Sequence, residues 1–188
     1  MLGKIKSKIK GDIHFKEILT GSAVTFVLKI FGMFLGYLVI LIISQQYGAE
    51  SVGVYSLTLS MMTFFAMIAA MGMNFSILRY VGQFNKIGGE CKLKLLYRYA
   101  VELVVPFSLL LALLLYFFAG TIAENVFHNP VYQPALEFAA LIVPFMTLKN
   151  ISVEFIRGLK QLKVSEFLRS VNQAIISITL LSIVGLFI

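Results

Sequence analysis

Two lysines lie inside long apolar stretches of the sequence, where a charge is costly. Lys29 is the single charged residue between positions 21 and 44, and Lys149 lies in the stretch 135–156. Charges within a membrane span usually face the interior of a helix bundle or a water-filled cavity, where they mark an ion or substrate path. The pair therefore predicts a ring of positive charge. The alternative is that both side chains extend toward the membrane surface and bind nothing.

The positions of these lysines predict that they share one depth. Lys29 comes eight residues after the start of its stretch, and Lys149 comes eight residues before Arg157. At about 1.5 Å per helical residue, each lies about 12 Å from one membrane face, provided that both ends face the same side. Arg79, near the end of another apolar stretch, is a third candidate for the charged site. It serves equally well as an anchor that fixes topology.

Other residues that carry chemistry are scarce. Cys91 is the only cysteine, which excludes a disulfide within the chain and a pair of metal-binding or redox cysteines. The two histidines, His14 and His128, and the one aspartate, Asp12, are too few to build a metal site or a catalytic triad. The sequence therefore predicts no catalytic residue, no metal and no cofactor, and a function other than an enzyme's.

The composition requires that much of the surface faces lipid. Hydrophobic residues make up 59% of the chain, charged residues 13%, and the mean hydropathy is +0.90. Apolar residues occur in runs long enough for membrane helices. We predict an all-α membrane protein with about five transmembrane helices after a basic N-terminal segment, 1–20. The predicted spans are about 21–44, 52–78, 100–119, 135–156 and 168–188.

The basic residues indicate an orientation. Apart from Lys29 and Lys149, they lie before the first span, between the second and third, or near the turn between the fourth and fifth. The connections 45–51 and 120–134 contain no Lys or Arg. This alternation predicts a multi-pass protein of the inner, cytoplasmic membrane with its N-terminus in the cytoplasm. Because the sequence stops inside an apolar run, we expect that it is truncated at its C-terminus.

Three short segments carry a family resemblance. Residues 47–57 read Tyr-Gly-Ala-Glu-Ser-Val-Gly-Val-Tyr-Ser-Leu, residues 71–73 read Met-Gly-Met, and residues 78–81 read Leu-Arg-Tyr-Val. In this order they resemble the oligosaccharide flippases, the membrane proteins of polysaccharide biosynthesis whose superfamily also contains multidrug and toxin exporters. The resemblance implies that the predicted spans form most of one six-helix lobe of a two-lobed transporter.

The resemblance also implies a cargo and partners. The cargo would be a polyprenyl pyrophosphate-linked oligosaccharide, moved across the inner membrane for surface polysaccharide biosynthesis. Two lobes would alternate around a central cavity, driven by a coupling ion, proton or sodium. The chain would need the missing second lobe or a longer chain, and it would contact membrane lipids but no nucleic acid. Lys29, Lys149 and Arg79 would bind the anionic headgroup of the cargo.

Three alternatives stay open. A multidrug exporter of the same superfamily would favour acidic residues in its cavity, and the lysines in the spans argue against it. A membrane-embedded glycosyltransferase or polymerase of the same pathway would need Asp, Glu or His clustered at one membrane face, whereas this chain has only scattered carboxylates. An inactive fragment is compatible with the same family.

Overall fold

The computed structural model describes residues 13–86 and 89–171, and every regular element in these ranges is helical. This confirms the prediction of an all-α protein. The predicted fifth span, 168–188, lies outside the described residues from 172 onward, as do residues 1–12 of the basic segment. The helices are α1 (Ile13–Ala69), α2 (Met73–Lys86), α3 (Glu90–Asn125), α4 (Tyr132–Gly158) and α5 (Leu162–Glu166), followed by the π-helical turn Phe167–Val171.

One glycine divides α1 into two arms. Gly48 has φ 82° and ψ 174°, a conformation that glycine adopts easily because it has no Cβ. Helix resumes at once on both sides, so the predicted connection 45–51 is an interruption of a single residue. The second arm, 49–69, is about 31 Å long, close to the roughly 30 Å thickness of a hydrocarbon core.

A second interruption lies within the predicted span 52–78. Helix α1 ends at Ala69, and the chain turns through Met71 (φ 48°) and Gly72 (φ 73°) before α2 begins at Met73. The apolar side chains on both sides of this turn kept the sequence hydrophobic, so its composition gave no sign of the break. The predicted span therefore combines the second arm of α1 with the first turns of a separate helix.

The next two helices extend beyond their predicted spans. Helix α3 starts ten residues before position 100 and continues to Asn125, and α4 runs from Tyr132 to Gly158. Between them, His128 takes a left-handed conformation (φ 52°), and the Asn129 side chain accepts a hydrogen bond of 3.0 Å from the Val131 N–H.

The chain forms two compact units, Met1–Val39 with Gln161–Ile188, and Ile40–Lys160. In the second unit, α2, α3 and α4 pack against one another around one cluster of buried residues: Ile77, Val81, Leu93, Ala100, Val104 and Ile151. Two further clusters join α3 and α4, one around Leu115 and Val143 and one around Ala119 and Leu136. Phe65 and Met61 from the second arm of α1 pack on these.

In the first unit, α1 packs closely on the segment that begins with α5. A Cβ placed on Gly21 would lie 3.8 Å from Leu162, and one on Gly32 would lie 2.7 Å from the Ser170 Cβ. Only glycine fits at position 32 with this backbone separation. On the same segment Glu166 is buried, and its carboxylate accepts a 3.0 Å hydrogen bond from the Ser170 hydroxyl.

Candidate functional site

Lys29 lies on the first arm of α1 with its side chain exposed. Its neighbours along this arm are large apolar side chains that are also exposed, among them Phe26, Ile30 and Met33. A surface of this kind faces lipid or another part of a membrane protein, since water would not tolerate so large an apolar patch. Lys29 therefore adds one positive charge to an otherwise apolar helix surface.

Lys149 lies on α4 in a more enclosed place. Its side chain is half-buried, and Thr147 and Ile151, which flank it, are buried. Helix α4 is continuous from Lys149 to Arg157, so the axial distance between them is about 12 Å, as predicted from the spacing. The buried Pro144 sits within the same continuous helix.

A hydrogen-bonded pair fixes α3 against α4 one turn from Lys149. The Tyr97 phenol lies 2.9 Å from the Ser152 hydroxyl, which is also 2.9 Å from the Leu148 carbonyl oxygen. Because Ser152 has one hydroxyl proton and donates it to Leu148, Tyr97 must be the donor to Ser152. The Tyr97 ring also meets Phe155 edge to face, with centroids 5.1 Å apart. The sequence analysis did not identify this contact.

Arg79 lies on α2, and its side chain is exposed. Ile77 and Val81, on the other side of the same helix, are completely buried. Arg79 and Lys149 belong to the second compact unit, whereas Lys29 belongs to the first. The common ring of positive charge that the sequence predicts for Lys29 and Lys149 therefore stays a prediction.

The two ends of the second unit differ in charge. Gly53 and Tyr132 lie at one end, where the Tyr132 phenol oxygen would be 3.9 Å from a Cβ on Gly53. The connections at this end contain no Lys or Arg, while the opposite ends of α3 and α4 carry several. There, Arg98 pairs with Glu102 at 2.7 Å and Arg157 approaches Glu154 at 3.7 Å. The connections 45–51 and 120–134, which contain no Lys or Arg, therefore lie at the same end of the second unit. The predicted topology requires this arrangement.

Glu166 is a buried acidic residue that sequence analysis did not single out. Its relative exposure is 6%, and the residue next to it, Ser165, is also buried. A Glu followed by a Ser four residues later was the available signal, but this spacing is common on exposed helices. In the described part of the chain, no group of three or more His, Cys, Asp or Glu side chains could hold a metal ion.

Three described helices are long and apolar enough to cross a membrane: Gly21–Ala69, Cys91–Asn125 and Tyr132–Gly158. Together with the exposed apolar surface, they define an all-α membrane protein. The chain belongs to the polysaccharide biosynthesis protein family, whose family model matches residues 18–187. Its role is therefore in polysaccharide biosynthesis. Comparisons with curated proteins and with solved structures found no significant match.

Proposed function

We propose that this chain is part of a flippase-type transporter that moves a lipid-linked oligosaccharide across the inner membrane. Membership in the polysaccharide biosynthesis family supports the pathway, and long apolar helices support a function within the bilayer. The observation that carries the proposal is the placement of Lys29 and Lys149 on such helices, where a charge is costly and usually marks a functional position.

The chemistry of the cargo matches these side chains. A polyprenyl pyrophosphate-linked glycan has an apolar chain that lipid accommodates and an anionic headgroup that must cross an apolar layer. A lysine ammonium binds phosphate as a point charge. Lys29 and Lys149 would provide that countercharge, and Arg79 would add to it at the cytoplasmic end.

Transport needs more than a binding site. In the proposed mechanism the chain forms most of one lobe, and a second lobe or a longer chain completes the cavity. The two lobes alternate their access, and a proton or sodium gradient drives the cycle. The N-terminus lies in the cytoplasm, because the basic connections then face the side that positive charge favours.

Binding of the cargo headgroup tests this proposal directly. We expect that the purified chain in nanodiscs binds a fluorescent short-chain polyprenyl pyrophosphate disaccharide, and that the unlabelled compound competes. The neutral polyprenol should compete poorly, because it lacks the charges that the lysines recognise. Native mass spectrometry of the same complexes gives the stoichiometry.

If the chain belongs to a multidrug exporter instead, it should prefer a cation to the anionic pyrophosphate compound. If a lipophilic cation binds and the pyrophosphate compound does not, a multidrug exporter replaces the flippase proposal. A matched control is Lys163→Gln, which removes an exposed lysine of α5 and should leave binding of the pyrophosphate compound unchanged.

A further inference from the structure

The second arm of α1 and helix α2 run in the same direction along α4. Phe65 of the arm packs on the cluster that contains Val143. Ile77 of α2 packs in the cluster that contains Ile151, about two turns further along α4. The two helices are therefore successive halves of one discontinuous segment, and its break at 71–72 lies inside the bundle rather than at one end.

The break leaves acceptor oxygens without donors. Ala69 is completely buried at the end of α1, and within the described part of the chain its carbonyl oxygen accepts none of the backbone hydrogen bonds around the turn. The side-chain oxygen of Asn74 is also buried, and no described donor reaches it. An acceptor that is buried without a donor is costly, so a ligand that binds oxygen would stabilise both groups.

Two buried hydroxyl groups lie at the same level on the neighbouring helices. Ser108 of α3 and Thr147 of α4 are completely buried. Ser108 follows Val104 of the first cluster by four residues, and Thr147 precedes Ile151 of that cluster by four. Asn74 precedes the cluster's first buried residue on α2 by three. Because α3 runs opposite to α2 and α4, all three side chains lie about one turn from the cluster, toward the same end of the bundle.

We call this group of four residues the oxygen layer: Ala69, Asn74, Ser108 and Thr147. Ser108 donates its hydroxyl proton to the Val105 carbonyl oxygen at 2.8 Å, and Thr147 donates its own to the Val143 carbonyl oxygen at 2.8 Å. A hydroxyl group has one proton, so the lone pairs of both hydroxyl oxygens remain as acceptors. The oxygen layer therefore presents acceptors from α1, α2, α3 and α4.

The charge of the oxygen layer indicates which ion it suits. None of its four residues is charged. Lys149 comes two residues after Thr147, about 200° around the helix axis, and so lies on the other side of α4. Divalent cations usually take carboxylate ligands, which the oxygen layer lacks, whereas backbone carbonyls at broken membrane helices coordinate sodium. A monovalent cation fits these ligands best.

We propose that the oxygen layer binds one sodium ion. The carbonyl oxygens of Ala69 and Asn74 and the hydroxyl oxygens of Ser108 and Thr147 are the ligands that this chain contributes. The ion would connect the end of α1 to the three helices that follow it and would stabilise the break between α1 and α2. Its use as the coupling ion rests on the proposed function, whereas its binding does not.

Sodium alone is the probe for this site. The whole purified chain in nanodiscs should bind radioactive sodium saturably, at about one ion per chain, and unlabelled sodium should displace it while choline should not. At constant ionic strength, replacing choline chloride by sodium chloride at about ten times the Kd should raise the Tm by about 3–6 °C, because only the folded chain has the site.

Isosteric variants remove single ligands. Thr147→Val should lower the sodium affinity by about 10- to 150-fold, comparable to the loss of a hydrogen bond to a charged group, and should abolish the Tm difference between the two salts. Asn74→Leu should do the same. A purely structural Thr147 would instead change the Tm equally in both salts.

Thr63→Val is the matched control. Thr63 is exposed on the second arm of α1, and its hydroxyl donates to the Leu59 carbonyl oxygen at 2.7 Å, the same local bond that Thr147 makes. The variant should therefore keep the sodium affinity and the Tm difference of the parent chain.

Three results would overturn the proposal: equal Tm values in sodium and choline, no saturable sodium binding, or parental sodium affinity in both Thr147→Val and Asn74→Leu. The buried oxygens would then hold water only. If Asn74→Leu does not fold, Thr147→Val and Ser108→Ala decide, since each removes only a hydroxyl group or its equivalent volume. Because the assay uses no cargo, its failure leaves the flippase proposal intact, and failure of cargo binding leaves the sodium site intact.

Discussion

Lys29 and Lys149 carry the same charge in different surroundings, and this difference affects how each can act. Lys29 is exposed on an apolar helix surface, whereas Lys149 is half-buried beside the hydrogen-bonded pair of Tyr97 and Ser152. An exposed lysine can move to follow a headgroup. A half-buried lysine is restricted by the residues around it and provides a charge at a fixed position. The two would therefore make different contributions to a transport cycle.

Replacing either lysine should lower export more than it lowers the amount of protein. In the proposed complete transporter, Lys29→Gln and Lys149→Gln each remove one countercharge for pyrophosphate, which costs about 1.5–3 kcal/mol for a charged hydrogen bond and hence about 10- to 150-fold in binding. Membrane insertion should be unchanged or easier, because each substitution removes a charge from an apolar stretch. Surface polysaccharide and membrane abundance are measured together.

Arginine at either position should restore more export than glutamine does, since positive charge is the property that matters. Lys163→Gln serves as the control for loss of an exposed basic residue elsewhere. Wild-type export by the double glutamine variant at equal abundance would show that both lysines only extend toward the membrane surface.

The sequence was sufficient to locate these charges but not to describe their surroundings. Lys29 and Lys149 stand out because few charges occur in the apolar stretches. The burial of Glu166 was not predictable, because burial depends on contacts between residues far apart in the chain. Burial by distant contacts leaves no periodic pattern near the buried residue.

At the scale of helices, the contact between α2 and α4 depends on one missing side chain. A Cβ at Gly158 would lie 2.7 Å from the Val81 Cβ, 2.8 Å from its Cγ1 and 3.3 Å from the Leu78 carbonyl oxygen. The Val81 Cβ is attached directly to the backbone and cannot rotate away. The two helices would have to separate to accept a methyl group.

We therefore expect Gly158→Ala to lower the free energy of unfolding by about 1–3 kcal/mol, as overpacking does in protein cores. The gain of about 1 kcal/mol in helix propensity from alanine would offset part of this loss. The measurement is thermal or denaturant unfolding of the purified chain in detergent. Combining Gly158→Ala with Val81→Gly should cost less than the sum of the two single variants, because glycine at position 81 lacks the Cβ and Cγ1 atoms that the new methyl group would meet.

Gly36→Ala is the matched control, since no atom lies within 4 Å of a Cβ at that helical position. It should be neutral or slightly stabilising. A Gly158→Ala variant as stable as the parent chain, or costs that simply add in the double variant, would show that α2 and α4 do not touch as closely as described.

Helix type was predictable for the long elements because apolar runs of this length have few other solutions in a membrane. One of the two interruptions was also located from the sequence, since the break at Gly48 falls inside the predicted connection 45–51. The break at Met71 and Gly72 was not located, because these residues adopt positive φ between apolar neighbours. That break depends on backbone conformation, which hydropathy does not report.

At the scale of the whole chain, topology is the property that links the charge pattern to the proposed transport. Helix α3 is continuous from Glu90 to Asn125 and about 54 Å long, so Lys94 and Val126 must emerge on opposite sides of a bilayer. The contact between Gly53 and Tyr132 places the connection at Gly48 at the same end of the second unit as Val126.

These constraints reduce the orientation to two possibilities, which cysteine labelling distinguishes. After Cys91→Ser removes the native exposed thiol, we expect Glu50→Cys and Val126→Cys to react with an impermeant maleimide in intact cells, because connections without Lys or Arg face outward. Lys94→Cys should react only after the cells are permeabilised. All three side chains are exposed, so accessibility within the protein does not limit the reaction. Labelling of Lys94→Cys alone in intact cells would reverse the orientation. Labelling of Glu50→Cys without Val126→Cys would contradict the fold itself, since the structure holds both at one end of the second unit.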